Sequence, residues 1–142
     1  KLTQDITEGV TTMAGYYYQN GSANKSFDGT FEGQSHTLTI NYNDTNDNIY
    51  AAPFPWIMGT VQNLVTVGSV TGNASRHTGL AGRNDANIRN CHVSVDITAK
   101  NCSSGISVSC LGLIEGCVYD GKLNAGTNSG GFTAWASGSC TN

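Results

Sequence analysis

Two carboxylates, Asp28 and Glu32, form the pair in this sequence that comes nearest to a catalytic arrangement. They stand four residues apart around a glycine turn, and two carboxylates at one site can supply the acid and the base or nucleophile of glycoside hydrolysis. Solvated turn residues produce the same spacing, and we prefer this simpler interpretation. We therefore treat both residues as weak catalytic candidates and expect neither glycosidase nor lyase turnover.

Histidine and cysteine show no metal-ligand spacing in this chain. None of His36, His77 and His92 has a Cys, His or carboxylate at the distance typical of a metal site. The polar loop at residues 43–48 lacks the Gly and the Glu of a calcium-binding loop. We expect no metal and no cofactor. The sequence leaves open whether Cys102 and Cys110, which flank one predicted turn, form a disulfide.

Aromatic residues are numerous for so polar a chain, and several are expected on its surface. Exposed rings stack on sugars or pack against a protein partner, so a glycan or a host or cell-surface protein is the expected partner. For residues 16–18 the alternative is packing beneath the N-terminal part of the chain. The candidate binding residues are Tyr16, Tyr17, Tyr18, Tyr42, Tyr50 and Trp56.

The composition excludes several classes of function. The chain has 142 residues, of which 18 are glycine and 12% are charged, and its net charge is −3. Nucleic-acid binding requires a basic patch, and the sequence has none. No apolar run approaches the roughly 20 residues needed to cross a bilayer, so no membrane span is expected.

Three segments repeat along the chain, at residues 60–70, 87–97 and 113–123. Leu64 in the first matches Cys91 in the second and Cys117 in the third, so the spacing is nearly constant. Apolar and polar residues alternate within each segment, as in a strand with one buried face, and the abundance of Val, Ile, Thr and Gly disfavours helices. The repeat predicts an all-β fold, a right-handed single-stranded parallel β-helix with coils of about 26 residues.

Alignment of the repeats places apolar residues in columns that should stack inside the solenoid. Asn63, Asn90 and Gly116 form a further column of residue types that tolerate the left-handed backbone conformation, which predicts a sharp corner. Asn142 would occupy the next corner. The predicted core columns are Val61, Ile88, Ile114 and Cys140; Leu64, Cys91 and Cys117; Val70, Ile97 and Leu123; and Leu80, Ile106 and Phe132.

Outward positions of adjacent coils carry opposite charges. Arg89 aligns with Glu115, and Asp96 aligns with Lys122. Each exposed pair is expected to stabilise the fold by at most about 1 kcal/mol. The pairs would nevertheless oppose a one-residue slip, which would also turn the apolar face outward.

The first part of the chain lacks the repeat. Residues 1–50 are therefore predicted to form an N-terminal cap or first irregular coil, and residues 51–142 the coils of one continuous domain within a longer chain. The strand expected at 118–123 has no following partner in the sequence. Because proteins usually cover open strand edges, we expect another subunit or further chain to cover this one.

Four segments resemble secreted bacterial β-helix proteins that carry the GLUG motif. Residues 78–82 resemble the motif itself, residues 27–38 resemble a Phe- and Gly-rich segment of that family, and residues 87–91 and 113–117 resemble its "I-x-N-C" segment. Ser35 departs from the pattern, since the family often has Gly there. The resemblance implies exported, surface-associated proteins of bacteria, many from gut communities. It implies no defined reaction.

The resemblance and the scattered carboxylates favour a non-catalytic, adhesin-like module that is secreted or displayed on the cell surface, with a binding or spacing role. One alternative is a fragment of a carbohydrate-active β-helix enzyme, either a glycoside hydrolase or a polysaccharide lyase. Another is a self-assembling structural subunit whose coils stack end to end. A cluster of carboxylates on one outer face would favour the enzyme.

Overall fold

The computed structural model describes residues 1–21 and 24–141, which form short strands joined by turns. No helix occurs in these ranges, and hence none that could cross a membrane. The strands are β1 (Ile6–Val10), β2 (Thr30–Glu32), β3 (Thr37–Asn43), β4 (Phe54–Ile57), β5 (Thr60–Gln62), β6 (Val65–Thr71), β7 (Ala81–Asn84), β8 (Asn87–Arg89), β9 (His92–Thr98), β10 (Ser107–Cys110), β11 (Leu113–Glu115), β12 (Val118–Tyr119), β13 (Leu123–Asn124), β14 (Thr133–Ala136) and β15 (Ser139–Thr141).

The strands stack into three sheets that run the length of the molecule. Sheet A has the order β1-β3-β6-β9-β12, and β13 also pairs with β9. Sheet B has the order β14-β10-β7-β4, and sheet C the order β15-β11-β8-β5-β2. Every pairing between these strands is parallel. The chain is therefore an all-β parallel β-solenoid, as the repeat predicts.

The coil length and the corner also follow the repeat. Val61 pairs with Ile88 and Ile88 with Ile114, so residues aligned in the sequence are neighbours in adjacent coils. Asn63, Asn90 and Gly116 have φ values of 52°, 49° and 61°, so the predicted left-handed corner is confirmed. Asn142, the expected next corner residue, lies outside the described residues.

The core fills the space between the three sheets, and most predicted core residues lie in it. Val61, Ile88 and Ile114, for example, are completely buried, and Leu123 is half-buried at the edge. Burial of Phe132 and Cys140 was a wrong expectation, because Phe132 is 38% exposed and Cys140 is also exposed. Cys140 does pair with Ile114, but no described strand packs over the last coil.

Residues 1–50 contribute strands to the same sheets. β1 and β3 lie in sheet A and β2 lies at one edge of sheet C. Between β1 and β2 the chain makes an excursion with antiparallel bridges, Tyr16 to Lys25 and Tyr18 to Ile49. The predicted cap region thus supplies solenoid strands as well as one irregular segment.

Candidate functional site

The outward side of sheet B carries a column of residues in register across four strands. Trp56 of β4 pairs with Arg83 of β7, which pairs with Ser109 of β10, and Ser109 pairs with Trp135 of β14. Met58 and Leu111 follow β4 and β10 directly. Met58 is 49%, Leu111 46% and Trp135 40% exposed. We call this set the sheet B surface: Trp56, Met58, Arg83, Ser109, Leu111 and Trp135.

Arg83 lies at the centre of a fixed polar and aromatic cluster. Its Nε lies 2.9 Å from both carboxylate oxygens of Asp85, and one terminal nitrogen donates to the Tyr17 hydroxyl at 2.8 Å. The guanidinium carbon lies 5.5 Å from the ring centre of Tyr17 and 5.8 Å from that of Trp56. The hydrogen bond with Asp85 raises the pKa of Arg83, so this group stays positively charged.

The tyrosine run at residues 16–18 packs against the sheet B surface. The Tyr17 ring lies 4.9 Å from Tyr50 and 5.4 Å from Trp56, both edge-on. Tyr16 and Tyr18 contact each other with ring centres 5.7 Å apart, and Tyr16 is 39% exposed. Tyr17 thus anchors the segment between β1 and β2 to the solenoid, whereas Tyr16 remains accessible.

Two predicted surface aromatics, Tyr42 and Tyr50, are buried, so their assignment to an exposed surface was wrong. Tyr42 is 5% exposed because it pairs with Val70 at an inward position of sheet A. Tyr50 is 7% exposed, and its Cβ lies against Gly82, where a larger residue would clash. Burial raises the pKa of both phenols.

The carboxylates do not form a catalytic pair in the described residues. Glu32 accepts hydrogen bonds from the side chains of Gln62 and Asn63 and from the backbone of Gln34. These hydrogen bonds lower the pKa of Glu32, and the bond from Gln62 has the largest effect. A general acid needs the opposite, a raised pKa. Asp28 is exposed and bonds to the Ser26 hydroxyl. Glu32, at the end of β2, thus holds Gln62 and Asn63 of the next coil, and Asp28 is an exposed turn residue.

Two histidines form exposed pairs with aspartates from neighbouring coils. His92 Nε2 lies 2.8 Å from Asp120, and His36 Nδ1 lies 3.2 Å from Asp5. The pKa of Asp120 is lowered by hydrogen bonds from Ser94 and from His92. In each pair the histidine and the aspartate belong to adjacent coils, so the two pairs link one coil to the next.

The predicted cross-coil ion pairs have the expected neighbours. Arg89 Nε lies 3.3 Å from Glu115 Oε2. The Lys122 ammonium lies 3.9 Å from Asp96 Oδ2, and the Lys122 backbone N–H donates to Asp96 Oδ1 at 3.0 Å. All four side chains are largely exposed, so the direct charge attraction contributes little.

The five cysteines are free thiols in the structure. Cys102 precedes β10 and Cys110 ends it, and the two do not pair. Cys91 and Cys117 stack inside the core, where the Cys91 N–H donates to the Cys117 sulfur at 3.4 Å. The hydrogen bond with the Cys117 thiol, together with burial, raises the pKa of Cys91. No group of three or more His, Cys, Asp or Glu side chains in the described ranges is placed to hold a metal ion.

The repeat also indicates which residues share the sheet B surface, although the sequence analysis did not use it for this purpose. The step from Trp56 to Arg83 equals the step from Val61 to Ile88, so extending the repeat backward aligns the tryptophan with the arginine. The contact with Tyr17 has no such signal, because the excursion lies outside the repeat. Comparisons with models of protein families, with curated proteins and with solved structures give no match to this chain.

Proposed function

We propose that this protein is a non-catalytic, adhesin-like module that acts outside the cell and binds glycans along the outside of its solenoid. The observation that carries the proposal is the sheet B surface, where Met58, Leu111 and Trp135 are each at least 40% exposed. Apolar side chains gathered on one face, with polar groups between them, are typical of an interaction site.

The spacing of the two tryptophans suits an extended ligand. Neighbouring strands lie about 4.8 Å apart, so the three strand steps from Trp56 to Trp135 span roughly 14 Å. Aromatic rings present flat apolar faces to the C–H faces of sugar rings, and polar neighbours fix the orientation of the hydroxyls. Ser109 and the Arg83–Asp85 pair lie between the two rings and supply such polar neighbours.

The arrangement of acidic residues supports binding rather than cleavage. Glycoside hydrolases place two carboxylates within about 5 to 10 Å across the scissile bond. Beside the sheet B surface, the Asp85 carboxylate already accepts hydrogen bonds from Arg83 Nε and from the indole N–H of Trp56. These hydrogen bonds let Asp85 hold Trp56 and Arg83 in place at the surface. The resemblance to secreted GLUG-motif proteins supports a location outside the cell.

A glycan array tests this function. The purified chain should bind a defined subset of plant, mucin or bacterial glycans and release no new reducing ends from them. Binding to no glycan on an array that contains all three classes would overturn the proposal. Release of reducing ends that is lost in both Asp28→Asn and Glu32→Gln would instead favour the enzyme.

We also propose that the last strands are covered in the native assembly by a further strand from this chain or from another subunit. In the described residues β14 and β15 each pair on one side only, and Phe132 is 38% exposed. A strand added at this edge would continue the sheets and leave the outward side of sheet B accessible. Light scattering on the purified chain should show self-association, and a strict monomer would exclude a second copy as the cover.

A further inference from the structure

The two ends of the solenoid carry free strand edges that complement each other. Sheet A begins with β1 and ends with β12 and β13, and sheet C begins with β2 and ends with β15. In the described residues, β1, β2 and β15 each pair with a named strand on one side only. Because every pairing is parallel, the free edge at one end of the molecule can accept the free edge at the other end of a second molecule.

The register of sheet A shows where a second copy would fit. Successive pairings along this sheet join Ile6, Leu38, Thr66, Val93 and Tyr119. One further step in the same register would place Ile6 of another copy beside Tyr119. Ile6 and Tyr119 are both only partly buried where they pack against the core, so this contact would complete the burial of both side chains.

The last described coil, which contains β14 and β15, exposes a phenylalanine that belongs to a core column. Phe132 continues the column of Leu80 and Ile106. Those two residues are completely buried, whereas Phe132 is 38% exposed. Its backbone is fixed, because its carbonyl accepts from the Ser107 N–H at 3.0 Å. An aromatic ring on a fixed backbone can insert into a complementary apolar cavity at little cost in entropy.

The opposite end of the molecule contains such a cavity, of about 400 Å³. We call it the first-coil cavity: its walls are β1, the segment that follows β1, and the neighbouring parts of β2, β3 and β4. Apart from Thr12, the described lining is apolar or aromatic. Phe27, Phe31 and Phe54 lie in it edge-on, with ring centres 5.1 to 6.4 Å apart. A further aromatic ring packs favourably in this edge-on geometry.

The distribution of charge favours contact between opposite ends. Residues 1–50 contain six acidic and two basic side chains, a net charge of −4, whereas residues 51–142 contain four acidic and five basic side chains, a net charge of +1. Two N-terminal ends would therefore repel each other, whereas an N-terminal end and a C-terminal end would not. Lys122, whose side chain is 89% exposed, lies between β12 and β13 at the C-terminal end.

We propose that copies of this chain stack end to end, with Phe132 of one copy in the first-coil cavity of the next. The inference rests on the proposed cover over the last strands, and it identifies the surface that forms this cover. The contact joins two different surfaces, so each added copy presents a free cavity at one end and a free Phe132 at the other. A stack along the solenoid axis does not close, so association continues into linear chains instead of stopping at a dimer.

Photo-crosslinking tests the contact directly. Phe132→benzoylphenylalanine keeps an aromatic ring at this position, and irradiation should link it to Met13, Phe27 or Phe31 of another copy. Mixing isotope-labelled with unlabelled chain shows by mass spectrometry that the link joins two copies. Val118→benzoylphenylalanine is the matched control, because Val118 is a 50% exposed apolar residue of β12, and it should give no link to the cavity. Links from position 132 to other surfaces only, or no link at all, would overturn the proposal.

Two charge variants block one end each. Phe132→Asp removes the inserted ring, and Met13→Asp places a carboxylate in the first-coil cavity. Circular dichroism shows whether each variant is folded, and light scattering measures its association. Each variant alone should associate at least about tenfold more weakly than the unchanged chain. An equal mixture of the two should form a one-to-one dimer and nothing larger, because it contains one intact cavity and one intact Phe132. Met58→Asp, at an exposed methionine outside the cavity, is the control and should associate as the unchanged chain does.

The outcomes separate this inference from the other proposals. An unchanged chain that stays monomeric at every concentration would overturn the stacking, while a further strand of this chain would remain as the cover and glycan binding at the sheet B surface would be unaffected. Association of Met13→Asp alone that equals that of the unchanged chain would show that the cavity takes no part, and would also overturn the proposal.

Discussion

The indole N–H of Trp56 donates a hydrogen bond of 2.9 Å to Asp85, a residue of the next coil. The same carboxylate receives the Arg83 Nε at 2.9 Å. Asp85 thereby links one tryptophan of the proposed glycan-binding surface to the charged group beside it. Its side chain is 17% exposed, so solvent replaces these hydrogen bonds only in part.

Asp85→Ala should therefore destabilise the fold by about 1–3 kcal/mol, because it leaves the Trp56 and Arg83 donors unpaired. Urea unfolding followed by tryptophan fluorescence measures the change. Asp28→Ala, at an exposed turn, is the control and should change the free energy of unfolding by less than about 1 kcal/mol. If both variants unfolded at the same urea concentration, Asp85 would have no special role.

The inside and outside positions of sheet A can be tested on one strand. Ile97 is 1% exposed in the core, and Thr98 beside it is exposed. Ile97→Asp buries an unpaired charge and should cost roughly 3 kcal/mol or more, whereas Thr98→Asp should cost less than about 1 kcal/mol. Thermal unfolding by circular dichroism compares them. Similar melting temperatures for the two variants would contradict the strand orientation.

Stability should fall between pH 7 and pH 5 because of His77. This residue is completely buried. Burial lowers the pKa of His77 below 6.5, although the charges of Asp44 and Asp47 partly oppose this effect. The folded state thus binds the proton more weakly than the unfolded chain, so the stabilisation is complete above pH 6.5 and declines as the pH falls below it.

Replacement of His77 should remove this pH dependence. His77→Leu is expected to unfold at nearly the same urea concentration at pH 7 and pH 5, whereas the unchanged chain unfolds at a lower concentration at pH 5. Four carboxylates also have lowered pKa values: Asp5, Glu32, Asp47 and Asp120. The stabilisation of the fold that they provide is lost only below about pH 4.5. An identical decline in the leucine variant would assign the effect to other groups.

Reactivity of the thiols should divide the cysteines into two groups. Cys91, Cys110 and Cys117 are buried, whereas Cys102 is half-buried and Cys140 is exposed. Burial also raises the pKa of Cys110 to about 11, which reduces its thiolate fraction. With Ellman's reagent at pH 8, Cys140 and Cys102 should react in the folded protein, and the other three should react only in guanidinium. Rapid reaction of all five without denaturant would contradict the packing of the core.

Within the repeat, the strand register and the inward-facing side chains could be predicted from the sequence. Outside the repeat, they could not. Each strand in the repeat is paired with its counterpart one coil away, so the nearly constant step between matching residues determines both the register and the side chains that face inward. Tyr42 illustrates the limit. Its inward position follows from pairing with Val70, but it lies before the three segments whose repetition is visible in the sequence.

In the last coil, the pairing of residues with the preceding coil was predictable, but the burial of their side chains was not. Cys140 pairs with Ile114 as the repeat implies, yet burial also needs a neighbour on the other side, and no described strand supplies one.

The most direct measurement for the central claim is the affinity of Trp135 variants for the glycan that the array identifies. Isothermal titration calorimetry should show that Trp135→Ala binds this glycan about tenfold more weakly, or ~1.4 kcal/mol, through loss of an exposed stacking ring. Val118→Ala is the matched control, because Val118 is also an exposed apolar residue, 50% accessible, but belongs to sheet A; it should bind as the unchanged chain does. Equal affinity for Trp135→Ala and the unchanged chain would contradict glycan binding at the sheet B surface.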